Sequence, residues 1–147
     1  MFNLQEPIVA KVQEVLDKAA EAMCKQKAVC IDSEGDCANY NDAGQRCAFG
    51  WVLHLLGFPD SHINASGSYL ITAKYALNCG DYDNLNWVVQ PYLNSLWQNI
   101  QNLHDIWSKD SSGDLEESLR IFETLKKHYP QVDFSAWEPI ANGDWLK

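Results

Sequence analysis

Residues 93–107 read LNSLWQNIQNLHDIW, and this stretch decides the fold class. Apolar side chains recur in it every three or four positions, which is the spacing of one face of an α-helix. His104 falls on the same face, directly before Asp105. The spacing therefore predicts an amphipathic helix that carries a histidine on its buried side.

Four other segments have the same periodicity and are predicted to be helical. They are residues 8–25, 46–56, 69–78 and 115–128. Between the first two, residues 28–31 and 37–40 have strand character on either side of a turn. The sequence thus predicts a mainly α, compact single-domain helical bundle over residues 1–147, with at most one small β-hairpin near residues 28–41.

The ends of the predicted helices carry residues with known capping roles. Gly57 follows the second segment, as glycine commonly does after a helix. Ser66 or Ser68 is expected to cap the third segment. Asp114 and Glu117 form a plausible capping pair for the last one.

The composition is that of an ordinary globular domain. The chain has 147 residues, of which 46% are hydrophobic and 21% charged. Its formal charge of −9 argues against nucleic acid as a partner, because phosphate binding depends on clustered lysine and arginine. No apolar run is long enough to span a membrane, and no signal sequence is visible. We therefore expect a cytoplasmic protein with reduced cysteines, whose acidic, aromatic surface is compatible with a homodimer.

Cys47 stands where a glycine-containing turn gives way to the second predicted helix. A helix start there would stabilise the thiolate and lower the pKa of the thiol. With His104 as its base, Cys47 would make a cysteine-dependent hydrolase or transferase. Asp105 is not expected to orient the imidazole, since adjacent residues on a helix point about a quarter-turn apart. The alternative is that Cys47 and His104 are both ordinary buried residues.

Four side chains form a loose set of potential metal ligands: Cys30, Cys37, Cys47 and His54. Structural zinc sites normally show closely spaced pairs such as C-x-x-C, which this set lacks. An odd number of cysteines, five, also argues against a disulfide framework. We therefore predict neither a metal nor another cofactor.

Two blocks of sequence resemble a pattern found in small uncharacterised proteins of tailed phages. The first block comprises residues 37–40 (CANY) and residues 44–53 (GQRCAFGWVL). The second is IQNLHD at residues 100–105, where the phage proteins begin with leucine. The chain departs from the pattern after Leu53, where the phage proteins tend to continue with I-P-D-x-x-Y.

The resemblance implies a phage-encoded accessory protein that acts inside the host bacterial cell, and it implies no particular activity. The many aromatic residues, six Trp and six Tyr, favour a protein that binds a host protein or a small nucleotide-like molecule, with counter-defence as the setting. The candidate ligand-binding residues are Tyr40, Arg46, Trp51, Gln101 and Asp105. The enzymatic alternative stays open, and each reading requires the two blocks to meet in the folded molecule.

Overall fold

The longest helix, α1, spans Glu6–Gln26 and forms one side of the core. A computed structural model describes residues 1–65, 67–108 and 115–147. Pro7 lies in the first turn of α1, where its missing N–H group costs nothing. The buried face of α1 carries Val12, Val15, Leu16, Ala19, Ala20 and Met23.

The described ranges contain five further α-helices. They are α2 (Ala48–Leu55), α3 (Tyr69–Asn78), α4 (Asn94–Asp105), α5 (Leu115–His128) and α6 (Glu138–Ala141). Short 3₁₀ segments lie at Asp60–His62, Asp83–Val89, Pro91–Leu93, Ser135–Trp137 and Asp144–Leu146. The predicted mainly α fold class is confirmed. Within the same ranges, no helix has the length and apolar character needed to cross a bilayer.

Helix α4 lies at the centre of the packing. It contacts α2, α3, α5 and α6, and Leu96, Ile100 and Leu103 on its apolar face are fully buried. The Trp97 indole, almost fully buried, donates a hydrogen bond to the Val88 carbonyl oxygen at 2.8 Å. The amphipathic helix predicted over residues 93–107 is confirmed.

The predicted capping of α3 is also confirmed. The Ser68 hydroxyl oxygen accepts a hydrogen bond from the Ile71 N–H group at 3.4 Å, and the helix occupies the predicted residues 69–78. The alternative cap, Ser66, and the predicted capping residue Asp114 lie outside the described residues.

The hairpin expected near residues 28–41 is reduced to a single antiparallel bridge between Ile31 and Cys37. The Asp32 carboxylate accepts the N–H group of Asp36 at 3.0 Å, which closes the turn tightly. A second antiparallel bridge joins Tyr40 to Arg46. The segment is therefore paired through isolated bridges rather than through continuous strands.

Gly50 lies where α2 comes closest to the loop that precedes it. A Cβ atom at this position would lie only 2.1 Å from the carbonyl oxygen of Asn39. Only glycine therefore allows this approach, in which the Asn39 carbonyl also accepts the Cys47 N–H group at 3.2 Å.

Replacement of Gly50 by alanine is expected to destabilise the protein by about 1–3 kcal/mol, the usual effect of overpacking. Helix propensity alone predicts the opposite sign, since alanine is favoured over glycine by about 1 kcal/mol within a helix. The free energy of unfolding in urea, measured for both proteins, decides between the two. A variant more stable than the parent protein would contradict the close approach.

Candidate functional site

Two polar side chains of α4 hydrogen-bond to the backbone of the segment that precedes and begins α2. His104 Nε2 accepts the N–H group of Cys30 at 3.0 Å, and Gln101 Oε1 accepts the N–H group of Phe49 at 2.9 Å. A buried N–H group that has no acceptor lowers the stability of the fold by about 1–3 kcal/mol. His104 and Gln101 accept these two N–H groups, so both polar residues of α4 have a structural role. Phe49 and Gln101 belong to the two different motif blocks, so the prediction that the blocks meet is confirmed.

The start of α2 is capped by Cys47 and Gln101 together. Cys47 is the N-cap residue, and its Sγ accepts the N–H group of Gly50 at 3.2 Å. Gln101 accepts the N–H group of Phe49, so two donors that a helix start ordinarily leaves free are satisfied. The thiol in turn donates to Asn39 Oδ1 at 3.4 Å. The thiol therefore serves as a capping group.

The prediction that the helix start lowers the pKa of Cys47 is wrong. The side chain is fully buried, and burial raises the pKa of the thiol to about 12. The hydrogen bond from Gly50 opposes this shift, while Asp105 and Cys30 add to it. Desolvation raises the pKa by more than the helix start lowers it, because a buried thiolate loses the water molecules that would stabilise its charge. The thiol stays protonated near neutral pH and is a poor nucleophile.

His104 is fully buried, and both of its ring nitrogens are engaged. Nε2 accepts a backbone N–H group, which can only donate, so the neutral ring carries its proton on Nδ1. Nδ1 lies 2.8 Å from Asp105 Oδ1 and donates to it. The expectation that Asp105 cannot reach this ring is wrong, because Nδ1 is the ring nitrogen nearest the backbone. Within the described part of the chain, no hydrogen bond joins His104 to Cys47.

A small pocket of about 120 Å³ opens beside these residues. Gln98, Gln101 and Asp105 of α4 line it together with Asn39 and Phe49 of the first block. The remaining lining residues are Cys37, Ala38, Gly67, Ser68 and Tyr69. The two motif blocks therefore enclose a common space, although the buried Cys47 and His104 do not line it.

A second pocket of about 430 Å³ adjoins the first, since Cys37 and Asp105 line both. Asn102 and Ser108 contribute polar groups to it, and Ile106 contributes apolar surface. Asp105 thus stands between a small space and a larger one. A ligand with one part in each would pass Cys37 and this carboxylate.

The Asp105 carboxylate is oriented by two neighbours in α4. Oδ1 accepts from Gln101 Nε2 at 2.7 Å and from His104 Nδ1 at 2.8 Å. Burial raises the pKa of the Cys37 thiol, and the neighbouring Asp105 carboxylate raises it further. The carboxylate is therefore held by several neighbours, while 36% of its side chain stays exposed.

The other three predicted ligand-binding residues form a separate cluster. The Arg46 guanidinium lies near the rings of Tyr40 and Trp51, 6.0 and 5.7 Å from their centroids. Its Nη1 atom lies 2.8 Å from Asp60 Oδ1, and Arg46 holds the pKa of that carboxyl below its usual value. Only 10% of the Arg46 side chain is exposed. None of these three residues lines the Asp105 pocket.

Two side-chain amides that organise the site were not predicted from the sequence. Gln26, the last residue of α1, exchanges two hydrogen bonds with the backbone of Arg46, at 2.9 Å each. Asn39 donates to the Asn64 carbonyl oxygen at 2.7 Å and to Thr72 Oγ1 at 3.1 Å. Their signal in the sequence is weak, because a single amide at a helix end or in a loop has no periodicity. Their importance follows from burial and pairing, which only the fold reveals.

No group of three or more His, Cys, Asp or Glu side chains is placed to hold a metal ion in residues 1–65, 67–108 and 115–147. The cysteines of the loose set, Cys30, Cys37 and Cys47, are all free thiols. Comparison with protein-family models, with curated proteins and with solved structures finds none that matches this chain. What the pocket binds must therefore follow from the chemistry of its own residues.

Cys47 is expected to resist alkylation in the native protein. Iodoacetamide reacts with thiolates that it can reach, so at about pH 8 the exposed Cys37 and the partly buried Cys24 and Cys79 should be labelled in the native protein. Cys47 should be labelled only after unfolding in urea. Peptide mass spectrometry over time measures the order. Labelling of native Cys47 as fast as Cys24 would contradict the buried, protonated thiol.

Proposed function

We propose that this chain is a phage-encoded accessory protein that acts by binding, and that the pocket beside Asp105 holds a small nucleotide-like molecule. One observation carries the proposal: Asn39 and Phe49 of the first block line the same pocket as Gln101 and Asp105 of the second. The phage origin and the action inside a host bacterial cell, in counter-defence, rest on the resemblance of these blocks.

The chemistry of the pocket suits a planar, polar heterocycle. The Phe49 and Tyr69 rings stand edge to face with centroids 5.9 Å apart, and both residues line the pocket. Gln98 and Gln101 add amide groups, and Asp105 adds a charge. The adjoining space of about 430 Å³ lies within the usual range of small-molecule sites, roughly 300–1,000 Å³. It provides room for a sugar attached to the heterocycle.

Binding is favoured over catalysis by the state of the two candidate catalytic groups. The Cys47 thiol is buried and holds its proton, and the lone pair of His104 Nε2 is occupied by the Cys30 N–H group. A nucleophile and its base need a mutual hydrogen bond, or a short path to one. The cysteine-dependent hydrolase or transferase is therefore the weaker alternative.

A host protein is the second candidate ligand, and an open groove along α1 favours it. One part of the groove, about 640 Å³, is lined by Lys25, Trp51 and Leu55 among others. A further part of about 320 Å³ shares Lys18 and Leu55 with the first and extends to Trp87. Aromatic and aliphatic side chains with a charged rim are typical of protein-binding surfaces.

The proposal is tested by recovering the affinity-tagged protein from phage-infected bacteria and analysing it by native mass spectrometry. We expect a small molecule to co-purify with the parent protein and with Leu55→Glu, which alters the groove. The same molecule should be lost from Asp105→Ala. Leu119→Glu, an equally exposed leucine on α5, serves as the matched control for the groove variant.

Two other results are informative. Retention of a host protein that is lost only from Leu55→Glu would move the function to the groove. Recovery of neither a small molecule nor a protein, with all variants folded, would contradict the proposed binding function.

A further inference from the structure

We infer that the groove along α1 is a surface for self-association, on which α1 of a second copy of this chain lies antiparallel to α1 of the first. The inference goes beyond the proposed function, because the groove shares no lining residue with the pocket beside Asp105. Three features carry it: the alternation of charge along α1, the neutrality of that face in an acidic protein, and the apolar side chains next to it.

Four charged side chains alternate in sign along the rim of the groove. They are Glu14, Lys18, Glu21 and Lys25, and all four are exposed. Their spacing of four, three and four positions keeps them on one face of the helix. They extend over about 16 Å of the helix axis. These four residues are called the α1 charge stripe below.

The order of the signs determines how two copies of the stripe can meet. In an antiparallel pair, Glu14 of one copy faces Lys25 of the other, and Lys18 faces Glu21. Each contact occurs twice, so all four pairs join opposite charges. In a parallel pair each residue would face its own counterpart, and all four pairs would join like charges. The alternation therefore favours a two-fold arrangement in which both copies use the same surface.

Within one copy these charges are paired along the helix, but the pairs are exposed to water. Lys18 Nζ lies 2.9 Å from Glu14 Oε1, and Lys25 Nζ lies 3.0 Å from Glu21 Oε1. More than half of each side chain is exposed, even at Lys18, where the exposed fraction is 57%. Such pairs contribute little to stability, and a carboxylate can accept from two lysines at once. A second copy would therefore extend the pairs into a network.

The charge of the whole chain limits where two copies can approach each other. The formal charge is −9, so two molecules repel each other overall. The α1 charge stripe contains two glutamates and two lysines and is neutral. Lys11, which lies over the Trp87 ring at 5.9 Å from its centroid, adds a positive charge to the same groove. Two acidic molecules can meet on this face without an excess of negative charge between them.

Apolar side chains beside the stripe can supply the free energy that exposed ion pairs lack. Leu55 is 37% exposed, and Trp51, Leu56 and Leu85 are half-buried. All four line the groove. In the antiparallel arrangement the α1 rim of each copy fills the groove of the other. The aliphatic parts of its lysine and glutamate side chains would then cover this apolar surface.

Helix α5 carries the same alternation of charge, at Glu116, Arg120, Glu123 and Lys127, all of which are exposed. Alternation alone therefore does not identify an interface, since it also stabilises a single helix. The groove and its apolar side chains are what favour α1. Helix α5 thus provides a matched control for the effect of charge.

The test is sedimentation equilibrium of the full chain and of two charge-reversal variants. At about 100 μM the parent protein should sediment as a dimer, with twice the 16.7 kDa mass of the chain. Lys18→Glu/Lys25→Glu makes the stripe wholly acidic, and Glu14→Lys/Glu21→Lys makes it wholly basic. Each variant alone should associate more weakly by about tenfold or more, because all four pairs then join like charges.

An equimolar mixture of the two variants should form dimers again, because a wholly acidic stripe then faces a wholly basic one. Both variants keep a net negative charge, since each double reversal changes the −9 of the chain by only four units. Attraction between oppositely charged proteins as a whole therefore cannot produce this rescue. Rescue also shows that both variants are folded.

The control variants make the same reversals on α5: Arg120→Glu/Lys127→Glu and Glu116→Lys/Glu123→Lys. Both should form dimers as the parent protein does. A parent protein that is monomeric at about 100 μM would overturn the inference and leave the groove to a host protein. A mixture of the α1 variants that stays monomeric would overturn it as well. Loss of the dimer in the α5 variants would also overturn it, because the interface would then include α5.

Discussion

Buried backbone N–H groups need acceptors, and in this protein α4 supplies one to the segment between α1 and α2 and one to the start of α2. His104 accepts the N–H group of Cys30, and Gln101 accepts that of Phe49. This pairing fixes where α2 begins. It also holds α2 against the Asn39 carbonyl, a contact that requires glycine at position 50. The small pocket lies between α4, the start of α2 and the loop that contains Asn39.

The same constraint explains why the residues that look most reactive are structural. Cys47 caps α2 and is held without solvent, so burial raises the pKa of its thiol to about 12. His104 uses one ring nitrogen for the Cys30 N–H group and the other for Asp105. His104 and Gln101 both donate to Asp105 and so orient its carboxylate, which is still partly exposed. Asp105, the last residue of the second block, is thus a charged side chain that lines both pockets.

The helices could be predicted because periodicity and capping are local properties. The apolar spacing of residues 93–107 identifies α4, and Ser68 marks the start of α3. The site was only partly predictable, because burial is not visible in the sequence. The prediction that a helix begins next to Cys47 is correct, and the prediction of a lowered pKa is wrong because desolvation controls the pKa. Of the small hairpin expected near residues 28–41, the structure has the antiparallel bridge between Ile31 and Cys37, and strand character alone could not show how far the pairing extends.

The most direct test of this account is native-state hydrogen exchange at the amides of Cys30 and Phe49. Both should exchange slowly in the parent protein, through large-scale unfolding, because their acceptors belong to a buried helix. In Gln101→Ala, the Phe49 amide should exchange faster while the Cys30 amide remains protected by His104. Exchange of both amides in the parent protein at the rate of an unstructured peptide would contradict the central role of α4.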